Sequence, residues 1–432
     1  MSVRRFDATL SDFADKFAQF LSLRRAQGTE DVHAATSVIV RDVRERGGEA
    51  VAAHTRRFDG VVIDPETLSS ESVQLFEASE RCSPDVREAL DFAAGRIEAY
   101  HAKQKPQDHT FTDEAGLELG WRWTAVDAVG LYVPGGRASY PSSVLMNAVP
   151  AKAAGVKRIA MTSPVPGGKL SPAVAYAAVR AGVTEFYPIG GAQAVAALAY
   201  GAGRLRPVDK IVGPGNAFVA AAKRIVFGDV GIDTIAGPSE ITVVADNQNK
   251  PEWIAADLLS QAEHDPLAQS ILITNDANWA SEVEAAIDLQ LATLATAKTI
   301  ATAWKDYGAI VIAHPSKTAE IVNQIAPEHV ELAVAEPDTI AKDIRHAGAI
   351  FLGRWAPEAL GDYVTGSNHV LPTSGAARFA SGLSVLDFMK RTSIQRISER
   401  GFRHLASAAE TLAQAEGLPA HKLSVSIRRG EG

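Results

Sequence analysis

The chain has 432 residues, 46% hydrophobic and 22% charged, with a formal net charge of -8; that is enough apolar material for about two to four domains. Basic pieces such as Arg24-Arg25 are short, which excludes an electrostatic footprint for nucleic acid or anionic lipid and leaves small molecules as the expected partners. No stretch approaches the roughly 18 apolar residues of a membrane helix, and no apolar run follows the start Met1-Ser-Val-Arg-Arg-Phe-Asp7, so a cytoplasmic protein is expected.

In chain order, residues 9 to about 104 read as helical. Phe13, Phe17 and Leu21 recur at four-residue spacing; Val32, Ile39 and Val43 mark a second stripe, and Val86, Leu90, Ile97 and Tyr100 a third. Gly47-Gly48 and Asp59-Gly60 punctuate them. The single cysteine, Cys82, precedes the helix start Ser83-Pro84 and reads as a buried, inert thiol. It excludes an intrachain disulfide or a thiolate cluster, so a zinc site here must use His, Asp, Glu or amide ligands. After a polar break at Lys105-Pro-Gln-Asp-His109, the alternation of Leu117, Leu119, Trp121 and Trp123 predicts a strand in an antiparallel piece.

From Val129 the texture becomes βαβ. Candidate strands at Val129–Pro134, Arg158–Thr162, Glu185–Pro188 and Lys210–Gly213 alternate with helices, and a second series runs through Ile241–Ala245, Ser270–Thr274, Ala309–Ala313, Val330–Ala333 and Ala349–Leu352. The fold class is therefore α/β, with two tandem, doubly wound, mostly parallel sheets and helical segments at both ends. The expected divisions are a helical region at 1–125, α/β domains at 126–238 and 239–380, and a helical tail at 381–432, past the end of the sheet signal.

Ligands of open α/β sheets sit at the carboxyl ends of strands. Three glycine turns stand there: Tyr132-Val-Pro-Gly-Gly136, Ile189-Gly-Gly-Ala-Gln193 and Gly213-Pro-Gly-Asn216, each leading toward a helix whose first amides can face phosphate. None is the G-x-G-x-x-G fingerprint. Taken singly each is a tight turn; together they suggest a nucleotide cleft.

The chemistry-bearing residues lie further on. A helix opened by Pro251, with Trp253, Ile254, Leu258 and Leu259 as its apolar stripe, must stop before Pro266. Gln261 and His264, three apart, rise from one face and read either as a polar last turn or as half a metal site. Ala326-Pro-Glu-His329 sets a carboxylate beside an imidazole; in a strand the two side chains diverge, and they meet only if the backbone turns, which Pro327 favours. Gly361-Asp362 to His369 is a polar loop, either an ordinary turn or a second source of ligands. Glu416-Gly-Leu-Pro-Ala-His421 closes the chain with one more carboxylate and imidazole.

These segments, with Tyr140-Pro-Ser-Ser-Val-Leu-Met-Asn147 and Ala236-Gly-Pro-Ser-Glu240, occur in an order that closely resembles the histidinol dehydrogenase family over nearly the whole chain. The resemblance implies an aldehyde-dehydrogenase-like α/β topology without that group's cysteine nucleophile. It also implies a homodimer with one Zn2+ per subunit that uses NAD to oxidise L-histidinol, through the aldehyde, to L-histidine. Zinc ligands are then expected at Gln261, His264, Asp362 and His421, and a catalytic pair at Glu328 and His329. NAD contacts fall on Tyr132, Gln193 and Asn216, and further substrate contacts on Ser239 and Glu416. His369 becomes a pocket residue or a support for one. The competing readings are a relative acting on another polar alcohol such as a sulfonated propanediol, a metal-dependent hydrolase, and a nucleotide-binding protein without turnover.

Overall fold

The computed structural model describes residues 3–23, 29–66, 68, 72–135, 140–235 and 237–430. Arg24, Arg25, Gly136 and Ala236, quoted above, lie outside the described residues. The chain folds as two compact units, residues 1–104 with 127–388, and 105–126 with 389–432.

The first unit holds two parallel sheets. One is built from β4 (Ala128–Tyr132), β5 (Arg158–Thr162), β6 (Glu185–Tyr187), β7 (Lys210–Val212) and β8 (Gly231–Ile232), in the order β6-β5-β4-β7-β8. The chain steps outward from β4 to β6 and then returns across β4 to β7. Right-handed crossovers therefore place helices Pro141–Ala154 and Pro172–Ala181 on one face and Gly191–Tyr200 and Ala217–Val226 on the other. The first two helices pack on each other, as do the second two. The strand order reverses between β4 and β7, so the crevice for a ligand opens beyond Tyr132 and Val212.

The other sheet orders β1 (Arg4–Asp7), β9 (Glu240–Ala245), β10 (Gln269–Thr274), β11 (Ala309–Ile312), β12 (His329–Ala333) and β13 (Ala349–Leu352) as β1-β11-β10-β9-β12-β13. Both faces are covered. Leu272 of β10 joins Leu258, Ile287 and Trp304 in one core, while its neighbours Ile271 and Ile273 join Phe17, Ile321 and Val322 in the other. This two-sided burial is why β10 shows no alternation in the sequence. Each such buried aliphatic side chain contributes roughly 1.5–3 kcal/mol.

The second unit pairs β3 (Glu118–Ala125) antiparallel with β2 (His109–Thr112) on one side and β14 (Met389–Arg396) on the other. Helices Glu399–Ala415 and Pro419–Ser426 follow.

Two features depart from the sequence reading. Residues Arg4–Asp7 form β1, which extends the second sheet alongside β11. Residues past 380 include β14, paired with β3 from Met389↔Ala125 to Arg396↔Glu118; all of it after Met389 is exposed, so no apolar face signals a strand that backbone pairing alone maintains. Helix Thr29–Arg46 packs on Gly191–Tyr200 and Ala217–Val226, and both parallel sheets lie within the first compact unit.

Candidate active site

Helix Pro315–Ile325 ends in Ala326, whose φ of 52 is left-handed, and the chain turns through Pro327 before β12 starts at His329. Glu328 therefore stands outside the strand, and its side chain does not diverge from that of His329. Both reach the backbone of Glu240 at the start of β9. Glu328 Oε2 accepts the Glu240 N–H at 2.9 Å, and His329 Nδ1 lies 3.0 Å from the Glu240 carbonyl oxygen. A carbonyl accepts only, so the ring proton sits on Nδ1 and Nε2 keeps its lone pair. The two side chains approach to 3.7 Å.

His329 Nε2 has no hydrogen-bond partner in its buried setting. It faces Glu358 Oε1 at 3.8 Å and Asp362 Oδ1 at 3.9 Å, two carboxylates one turn apart on helix Glu358–Tyr363. Burial lowers the His329 pKa to about 4, against the raising effects of Asp362 and the Glu240 hydrogen bond. Burial pushes the Glu328 carboxyl well above its ordinary value, against the lowering effect of the Glu240 N–H hydrogen bond and with smaller help from the charges of Glu240, Asp362 and Glu358. Glu358 is raised by burial and by Asp362. A buried imidazole kept neutral, with one nitrogen free, can take a proton from a substrate bound beside it.

Gln261 is fully buried at the end of helix Pro251–Ala262, and neither atom of its amide has a partner. Such a group costs about 1–3 kcal/mol unless something outside the chain satisfies it. His264, exposed just past the helix end, lies close enough to act electrostatically on His329 and His369. One ligand atom each from His329, Glu358 and Asp362 lies within 4.8 Å of the others. An imidazole and two carboxylates so gathered, with an orphaned amide on a helix that packs against Glu358–Tyr363, offer the nitrogen and oxygen donors that fit a zinc ion.

His369 donates from Nδ1 to the Asp362 carbonyl at 2.9 Å, and its Nε2 is 3.5 Å from Ser143 Oγ on helix Pro141–Ala154. It thus links the amino end of the second sheet to a helix of the first. At the carboxyl ends of the first sheet, the Tyr132 hydroxyl accepts the Gly191 N–H at 3.1 Å. Gln193 is 1% exposed with both amide atoms unpartnered, a buried polar group fit for an outside ligand. Asn216 accepts from the amides of Phe218 and Val219 at 3.0 and 3.1 Å, capping helix Ala217–Val226. Those two amides are therefore not open to phosphate as the turn suggested; the Asn216 side-chain NH2 remains. These groups fit a dinucleotide lying across the switch point.

Ser239 directly precedes Glu240, and its carbonyl accepts from Gln269 N at 3.0 Å. Glu416 and His421 belong to the second unit, where both are exposed. Cys82 is buried, and burial raises its thiol pKa, as an inert cysteine requires. The sequence reading gave no role to Glu240 or Glu358. Glu240 fixes Glu328 and His329 through its backbone, which no residue pattern reveals; Glu358 had a signal, a carboxylate four residues before Asp362 behind a helix-starting Pro357.

The fold and site define an α/β protein with a nucleotide-type switch point in one sheet and a buried histidine–carboxylate centre at the amino end of the other. Comparison with known proteins gives the family. The histidinol dehydrogenase family profile matches residues 22–429. Histidinol dehydrogenase of Caulobacter vibrioides is 58% identical over 430 residues, covering 100% of both chains. That of Rhizobium meliloti is 56% identical, covering 98% of this chain and 97% of its own. The crystal structure of histidinol dehydrogenase from Elizabethkingia anophelis superposes with a TM-score of 0.92 at 34% identity, covering 99% of this chain and 98% of that one. The chain belongs to the histidinol dehydrogenase family.

Proposed function

We propose that this protein is an NAD-dependent dehydrogenase that oxidises L-histidinol through L-histidinaldehyde to L-histidine, consuming two NAD and one water. The observation that carries the reading is His329, whose tautomer is fixed by Glu240 so that an unpartnered Nε2 faces Asp362 and Glu358. We assign that nitrogen as the base for the alcohol proton.

Gln261, His264, Asp362 and, from the partner subunit, His421 would hold zinc, while Tyr132, Gln193 and Asn216 would hold NAD. When bound, zinc supplies a Lewis acid that orients the substrate's imidazole and amino nitrogens, and NAD supplies the hydride acceptor. His329 Nε2 removes the hydroxyl proton as the first hydride leaves. The aldehyde cannot give up a second hydride until water adds to it, and Glu328, its carboxylate held by the Glu240 N–H, accepts a proton from that water. Ser239 and the partner's Glu416 bind the substrate's polar groups. The burial of Glu328 and His329 excludes bulk water and retains the reactive aldehyde. A homodimer completes each site. No helix among the described residues is long and apolar enough to cross a membrane.

The test is to supply L-histidinol with NAD and to follow reduced nicotinamide and histidine. Two reduced nicotinamides per histidine are expected. Turnover of a sulfonated propanediol with none of histidinol would reassign the substrate, and no nicotinamide reduction with either would remove the dehydrogenase reading.

A further inference from the structure

The turn Gly213-Pro-Gly-Asn216 is held by a buried ion pair that the reaction itself does not use. Lys223, one face of helix Ala217–Val226 further on, is 2% exposed, and its Nζ donates to the Gly213 carbonyl at 3.0 Å. The same ammonium pairs with Asp233, and the two side chains are each 3% exposed. The other carboxylate oxygen of Asp233 accepts the Gly213 N–H at 2.8 Å. Asp233 is itself anchored to the sheet, since it follows β8 and its N–H donates to the Ile211 carbonyl of β7 at 3.2 Å.

Both backbone polar groups of one glycine are thus gripped by the two ends of one ion pair. Gly213 needs such restraint. Its φ of 114 lies in the left-handed region, and a Cβ there would stand 2.1 Å from the Tyr132 carbonyl oxygen. Glycine alone fits, but glycine is also the residue with the most freedom to leave that conformation. The turn positions Asn216 on one side and presses on Tyr132 on the other, at the point where the strand order reverses. A neutral loop could be closed by water. An ammonium and a carboxylate buried at this depth are costly to desolvate, so the pair is weak evidence for added stability, and what it visibly does is hold both backbone groups of Gly213.

We propose that Lys223 and Asp233 are positioning residues for the cofactor, a clamp that holds the Gly213 turn in the one conformation that presents Tyr132 and Asn216 together to the dinucleotide. This rests on the reading that Tyr132 and Asn216 bind NAD. The clamp acts on cofactor affinity; it touches neither the histidine–carboxylate centre nor the metal ligands.

The experiment uses the full-length enzyme with zinc bound and two variants. Lys223→Met with Asp233→Leu removes both charges together, so no lone buried charge remains to unfold the chain. Asn216→Ala tests the underlying reading. The double variant is expected to fold, to keep its zinc, to keep its KM for histidinol and its kcat at saturating NAD within about twofold, and to raise KM for NAD about tenfold, the effect of losing one well-placed interaction. A double variant that binds NAD normally, while Asn216→Ala binds it poorly, overturns the clamp and leaves the cofactor reading standing. Normal NAD affinity in Asn216→Ala overturns the cofactor reading of the turn, and the clamp with it. A double variant that fails to fold, or that loses kcat and histidinol affinity in step with NAD affinity, makes the pair a general structural element and also overturns the proposal.

Discussion

At the residue scale the site depends on which atoms are left without partners. His329 spends Nδ1 on the Glu240 carbonyl and keeps Nε2 free. Replacement by Asn removes the basic nitrogen, and turnover should fall by about two to four orders of magnitude, the usual worth of a positioned general base. Zinc content measured on the same preparation should not change; a loss of metal in parallel would make His329 a ligand instead of the base. Gln261 supports a prediction that needs no activity. Its buried amide lacks any partner, so Gln261→Leu should make the metal-free protein more stable by about 1–3 kcal/mol while weakening zinc binding. Melting curves with and without zinc check both parts. If the metal-free variant is the less stable one and zinc still stabilises it fully, Gln261 is not waiting for a metal.

At the scale of elements, the edge of the first sheet is fastened by charge. Arg158 of β5 makes two 2.9 Å hydrogen bonds to the carboxylate of Glu185 on β6, and donates to the carbonyls of Arg206 and Pro207 at 2.8 Å. Burial raises the Glu185 pKa, but the hydrogen bonds from Arg158 and Tyr187 and the Arg158 charge outweigh it, and the net effect lowers it below the ordinary 4.5. A carboxyl whose folded pKa is depressed stabilises the fold fully above the unfolded value and loses that contribution as pH falls through the folded value. Glu185→Gln should therefore be less stable than the parent by about 1.5–3 kcal/mol at pH 7, and the gap should close below about pH 4.5. Denaturant midpoints over that range measure it; a gap independent of pH would show that packing, not ionisation, holds β6.

At the scale of the whole molecule, the question is how the tail is used. Leu405, Leu412, Leu418 and Leu423 are exposed within their unit, although a free tail has no need of such residues. A two-fold dimer lets each tail cover the other subunit and deliver Glu416 and His421 reciprocally. Coexpression of a His264→Asn chain with a His421→Asn chain tests this. Each is expected to be inactive alone. In a mixed dimer with shared sites, one site carries both lesions and the other carries none, so about half the sites recover. Verified mixed dimers without activity would mean that the tail serves its own chain, and the zinc assignment would stand apart from the sharing.

The sequence by itself determined the two parallel sheets. Strands covered on both faces are continuous apolar runs, and runs such as Ser270–Thr274 and Ala309–Ala313, alternating with helices, read as such strands. It also determined the family, because the order of its motifs along the chain is specific in combination. It did not reveal β1 and β14, since a short edge strand and a strand polar on both faces bury too little to leave a pattern. Only the tertiary structure decided that Glu328 and His329 converge, because that depends on the left-handed Ala326 and on the backbone of Glu240, 88 residues away from Glu328. It likewise decided that Glu358 joins them and that Asn216 spends its oxygen on its own helix. Backbone groups are the same in every residue, so what they hold in place becomes legible only when distant segments are brought together.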